Sequence, residues 1–132
     1  MSRAILQAYY DAFNRGDIDG MLACLHEDFA HHVNEGAVRL GKAAFGDFCR
    51  HMSATYREQL ADLVVYANDD GTRGAAEFTV QGTYLQTDPG LPEARGQSYV
   101  LPAGGFFALR DGLITRVTTY YNLQDWIRQV SA

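Results

Sequence analysis

The sequence predicts an α+β domain, and three observations carry that prediction. Its elements read in the order helix–helix–strand–helix–strands, without strand–helix alternation. At Leu60 the hydrophobic spacing changes from a helical to a strand-like period. Beyond that point, alternating runs separated by turn signals occupy most of the remaining chain. The 132 residues suffice for one domain, covering 1–132, with a core and a small cavity, and not for two.

Each element has its own signal. In the first helix Ile5, Tyr9 and Phe13 recur at helical spacing with Leu6 beside them, giving one apolar stripe. Gly16 closes that helix, and Asp17 is the N-cap of a second, whose apolar face is Ile18, Met21, Leu22 and Leu25. Alternation follows, with Phe29, His31 and Val33 on one side and Ala30, His32 and Asn34 on the other. Gly36 and Gly41 bracket a turn and the extended Val38–Leu40. A third helix places Phe45, Phe48, Cys49, Met52 and Tyr56 on one face.

The strands come next. Residues 63–66 are strand-like and residues 68–71 are a turn. Residues 75–84 alternate, with Phe78, Val80 and Tyr84 on one face and Glu77, Thr79, Gln81 and Thr83 on the other. Residues 87–92 form a loop. Another strand spans Ser98–Arg110, where Pro102 and Gly104-Gly105 predict a bend or bulge. Asp111-Gly112 is a hairpin turn, and Leu113–Tyr121 returns antiparallel. Leu123, Trp126, Ile127 and Val130 make a short closing helix.

Composition narrows the function classes. A net charge of -5 and a pI near 5.2 argue against nucleic acid or an anionic membrane as partner, since both reward basic patches. No run is long and apolar enough to span a bilayer, and the N-terminus enters a helix without a signal-peptide core. Cys24 and Cys49 fall on predicted helices at no metal-ligand spacing, as expected of reduced cysteines in a cytoplasmic protein. His31 and His32 are adjacent on a strand, so their rings diverge and no metal site is expected from them. His26 is placed at a helix end and His51 on the third helix, away from its apolar stripe. No phosphate-binding glycine loop or dinucleotide motif is present, so no cofactor is implied. A tyrosine (Tyr9) and a histidine (His31) at inward positions suggest a partly hollow core.

The chain resembles the nuclear transport factor 2-like superfamily, which contains ketosteroid isomerases and SnoaL-like polyketide cyclases. The resemblance covers the whole chain. It is closest to a bacterial group labelled ketosteroid isomerase-related, matched at Tyr56-Arg57-Glu58-Gln59-Leu60, at residues 77–84, at residues 99–104 and at residues 120–130. It implies a cone, in which a curved antiparallel sheet wraps around helices and encloses one pocket. It also implies where chemistry would sit. The oxyanion tyrosine of the isomerases falls on Tyr9, their base on Val33 and their second oxyanion acid at or beside Gly105. The acid of the cyclases falls near Thr119. Only Tyr9 carries a matching group, so steroid isomerisation is not expected.

His31 is the candidate replacement base, because it shares strand parity with Val33 and an ordinary imidazole titrates near pH ~6.5. Tyr9 and His31 are thus the candidate catalytic pair. Candidate ligand contacts are Asn34 at the rim and the aromatics Tyr56, Tyr99, Phe107, Tyr121 and Trp126. The reading is a domain that binds a small hydrophobic or aromatic molecule, as a cofactor-free isomerase, cyclase or hydratase. The alternative is a non-catalytic ligand-binding or interaction domain. A homodimer is expected through the outer sheet face, where Glu77, Thr79, Gln81 and Thr83 join Arg116, Thr118 and Tyr120. Relatives of the cone commonly pair that way.

Overall fold

The computed structural model describes residues 2–33 and 36–132. Helix α1 (Ser2–Arg15) buries Leu6, Tyr9, Tyr10 and Ala12 along one stripe. It stops at Gly16, whose φ of 73° lies in the left-handed region that favours glycine. Asp17 caps α2 (Ile18–Ala23) by accepting from the Gly20 amide at 2.9 Å. This helix is shorter than its apolar pattern predicts. Cys24 is its C-cap, and Leu25 opens β1 (Leu25–His32), so Cys24 lies off the helix and His26 lies in a strand. The sheet takes the segment over: the Ile114 amide donates to the Cys24 carbonyl at 2.9 Å, and Leu25 pairs with Ile114.

Strand β2 (Val38–Leu40) precedes α3 (Lys42–Thr55), which buries Phe45 and Cys49. Tyr56, expected on this helix, is extended and begins β3 (Tyr56–Ala67). The Thr55 carbonyl accepts from the Leu85 and Gln86 amides, tying the helix end to the exit of β4 (Arg73–Tyr84). Tyr56 then pairs with Tyr84. Midway along β3 the register shifts between Ala61 and Val64, at Asp62 with φ 54°. This bulge lets Leu60, Leu63 and Val65 all pack on the core.

Strands β5 (Ser98–Arg110) and β6 (Leu113–Tyr121) and helix α4 (Leu123–Ser131) complete the chain. The six strands form one curved open sheet in the order β2-β1-β6-β5-β4-β3. All neighbours are antiparallel, as expected of the curved sheet, except β1 and β6, which run parallel. Those two strands are joined through the rest of the sheet, and no hairpin dictates their direction.

The expected bulge at Pro102 and Gly104-Gly105 is absent: pairing with β4 runs through it unbroken, and the shift on β5 falls at Ala108/Leu109. The glycines make room instead. A Cβ on Gly104 would stand 2.8 Å from the Ala76 carbonyl oxygen, and one on Gly105 would stand 3.0 Å from the Tyr10 hydroxyl. Pro102 lies just past Ala103, the last residue of β5 paired with β6, where β6 claims no amide from it.

The inner face of the sheet packs on α1 and α4, and its outer face carries the predicted residues, Tyr120 among them, together with the unpredicted Val100 and Phe106. Val100, Phe106 and Tyr120 are each more than half exposed, and the last two rings meet at 5.8 Å. Among the described residues, no helix is long and apolar enough to cross a membrane.

Candidate functional site

Between the concave face and helices α1, α3 and α4 lies a cavity of about 540 Å³. Tyr9, His31, Tyr56, Tyr121 and Trp126, all singled out in the sequence, line it. The family positions also come together there, since Val33 and Thr119 are on the wall. The space an acid at Gly105 would need is taken by the Tyr10 hydroxyl, which accounts for the glycine. Two expected contacts are corrected. Phe107 has no exposed surface and packs edge-on against Tyr9 and Tyr10, behind the wall. Tyr99 is buried beside Trp126 and supports a lining residue rather than facing the cavity. Asn34 lies outside the described residues.

Tyr9 is buried against Tyr10 at 5.1 Å between ring centroids. Burial first, then the neighbouring Tyr10, hold its hydroxyl well above the usual phenol range, so it stays protonated and can donate a hydrogen bond. His31 is 3% exposed, its ring wedged between Phe45 at 4.8 Å and Phe48 at 4.9 Å. Burial, reinforced by the charge of Arg39, pushes it down to about 4. The titration near neutrality expected from sequence is therefore corrected, and His31 is a neutral imidazole in an aromatic slot. Its Nδ1 has no hydrogen-bond partner among the described residues. Arg39 on β2 pairs with His31 in register and lies 4.1 Å over the Phe48 ring. Its Nη1 is likewise buried and unpartnered.

The carboxyl that the sequence reading missed is Glu58 on β3, which lines the cavity and is half-buried. Burial raises its pKa, and a hydrogen bond from the Tyr99 hydroxyl to Oε2 at 2.5 Å partly opposes the rise. Burial and the Glu58 charge in turn raise Tyr99, which remains a donor. Glycine makes the contact possible. Gly82 pairs with Glu58 on one side and Tyr99 on the other, and a Cβ there would sit 2.3 Å from the Tyr99 ring. A desolvated carboxyl with a fixed donor can take or release a proton closer to neutrality than a free glutamate.

At the cavity's mouth, Asp88 accepts from the Tyr56 hydroxyl at 2.7 Å and lies 3.0 Å from His51 Nε2. The Tyr84 hydroxyl accepts from the Asp88 amide and donates to the Pro92 carbonyl, so the loop after β4 is stitched back to the end of that strand. Both cysteines are unpaired and buried, and burial pushes Cys49 up to about 11.

The SnoaL-like domain family model matches residues 6–117. A solved structure described as a "putative polyketide cyclase" from Silicibacter sp. TM1040 is 68% identical, covering 99% of this chain and 96% of that one with a TM-score of 0.97. Another so described, from Pseudomonas putida KT2440, is 55% identical, covering 98% of each chain with a TM-score of 0.97. The fold reaches further, to a nuclear transport factor 2-like protein of unknown function from Burkholderia pseudomallei K96243. That protein is 19% identical, with a TM-score of 0.77 over 99% of this chain and 98% of that one. No protein with a curated description matches. The family model covers most of the chain, from within the first helix to within β6, and with the 68% identical structure it shows that the chain belongs to the SnoaL-like domain family.

Proposed function

We propose that the cavity binds a small, largely apolar or aromatic molecule and carries out a cofactor-free proton transfer of the isomerase, cyclase or hydratase kind. One observation carries this reading: an aromatic-walled cavity holds a carboxyl of raised pKa, Glu58, together with the protonated Tyr9. Glu58 is the proton carrier and Tyr9 the hydrogen-bond donor to oxygen that gains charge. His31, assigned to proton transfer from sequence, is neutral at physiological pH and suits ligand positioning better. The names of the close relatives point to the same class of chemistry.

A second reading is a ligand-binding module without turnover. It is favoured by the lack of an acid at Val33, Gly105 and Thr119. Mass spectrometry of what co-purifies, followed by incubation of that compound with protein, separates the two. Wild type should convert the compound, and Glu58→Gln should bind it without converting it. Binding with no conversion by wild type would defeat the catalytic reading.

The protein acts as a homodimer paired through its outer sheet face, a reading supported by the exposed Phe106–Tyr120 pair. The two unpaired, buried cysteines support a place in the cytoplasm.

A further inference from the structure

Two buried polar atoms lack partners among the described residues, and they are neighbours. His31 Nδ1 and Arg39 Nη1 belong to residues paired across β1 and β2, and both side chains line the same stretch of cavity beside Phe45 and Phe48. Native structures leave few such groups unsatisfied, because each forfeits its hydration without replacement. Arg39 is the more demanding of the two. Its charge is permanent, and no carboxylate among the described residues lies within ion-pair distance. Among the described residues, the face of Phe48 is what stands against the guanidinium. A water molecule could satisfy hydrogen bonds here but could not balance the charge.

We propose that the ligand of this cavity is an aromatic carboxylate, whose oxygens are held by Arg39 and His31 at the β1–β2 edge of the sheet. The inference rests on reading the cavity as a ligand site and names the class of ligand. An Arg fork presents parallel N–H donors to a carboxylate, and a neutral imidazole with its proton on Nδ1 adds another. The apolar body of the ligand lies along Phe45, Tyr9 and Val117, all on the wall. Glu58 stands on β3, the other edge strand, so Arg39 and Glu58 belong to opposite edges of the sheet, with Arg15 and Arg57 also on the cavity wall. A bound acid is thereby oriented with its charge away from Glu58. The chain's net charge of -5 makes the placement of Arg39 here more pointed, since the protein as a whole repels anions.

The test uses three matched pairs of probes: benzoate and benzamide, 2-naphthoate and 2-naphthamide, and 2-anthroate with its amide, titrated calorimetrically. For wild type, the best-fitting carboxylate should bind at least about tenfold more tightly than its amide. Arg39→Met should weaken that carboxylate by a similar factor while leaving the amide within about twofold, which also shows that the cavity is intact. Arg39→Lys, which keeps charge and loses the fork, should fall between. Equal binding of acid and amide by wild type would overturn the proposal, and so would an unchanged ratio in Arg39→Met. If Arg39→Met fails to fold, the wild-type ratio and Arg39→Lys decide. If wild type binds neither member of any pair, the aromatic-site reading itself fails, and this inference fails with it.

Discussion

The Tyr99 hydroxyl reaches Glu58 Oε2 at 2.5 Å by crossing over Gly82, which is paired with both residues. Three adjacent strands thus build one hydrogen-bonded carboxyl–phenol unit, and each member has a distinct job. Glu58 accepts the hydrogen bond, Tyr99 donates it and so favours the ionised carboxyl, and Gly82 leaves the space between them empty.

Removing the donor should raise the Glu58 pKa further, because the hydrogen bond is the one influence that lowers it. Carboxyl-carbon NMR titration of Tyr99→Phe against wild type measures this directly. A pKa that stays put or falls would mean that the contact does not form in solution. Glu58→Gln should lower any turnover by about 10²–10⁴-fold, the usual worth of a positioned acid–base group.

Filling the gap should break the same unit from the other side. A methyl at Gly82 would overlap Tyr99 ring atoms at 2.3 to 2.5 Å, and Tyr99 is 2% exposed with Trp126 beside it. Gly82→Ala should therefore cost about 1–3 kcal/mol, typical of overpacking, read from the denaturant midpoint. A neutral effect would show that the ring has somewhere else to go.

Much of this was legible in the sequence, and the failures share a cause. Periodicity located both opening helices, the strands and the inward turn of Tyr9 and His31, because each is a local consequence of spacing. Glu58 was hidden by one boundary. With Tyr56 read as the end of a helix, Glu58 had no assigned face. Once Tyr56 starts a strand, residues 56, 58 and 60 share the inner face. That boundary is set by Thr55 accepting from Leu85 and Gln86, a long-range contact that no local pattern contains. Tyr99 and Phe107 were rightly placed inside, but alternation tells inside from outside and does not tell cavity from core. Pro102 and the Gly104-Gly105 pair were read as a bend or bulge; there is no bulge, and close approach of Ala76 and Tyr10 from elsewhere in the chain explains the glycines.

His31 should make stability depend on pH in a defined window. Its folded pKa is depressed to about 4 from an ordinary 6.5. Between those values the unfolded chain binds more protons, so stability falls as pH drops from about 6.5 and the loss is complete near 4. The full shift corresponds to roughly 3 kcal/mol. His31→Gln should remove that acid-side loss, measured as denaturant midpoints from pH 7.5 to 4. Glu58 contributes with the opposite sign, since its raised pKa makes stability fall as pH rises above the usual glutamate value. Wild type and His31→Gln showing parallel profiles would contradict the buried, neutral imidazole.

The outer face of the sheet should form a two-fold dimer, and the structure keeps Tyr120, which alternation suggested, while adding Phe106 and Val100 and setting Thr118 aside. Thr118 is 8% exposed, with Arg116 donating to its hydroxyl at 3.0 Å, so it is covered already and makes a poor probe. Phe106 at 53% and Tyr120 at 51% exposure are the surfaces that lose most by remaining in water, and Val100 at 56% extends the patch along β5. Apolar burial of this kind, with a polar rim of Glu77 and Gln81, is what a self-complementary face requires. A stable pair should bury at least about 1,000 Å² in total. Light scattering should report a dimer at micromolar concentration for wild type. Phe106→Lys, which brings like charges together across the two-fold, should give a folded monomer. Monomeric wild type would defeat the proposal, and a Phe106→Lys variant that remained dimeric would place the interface on another surface.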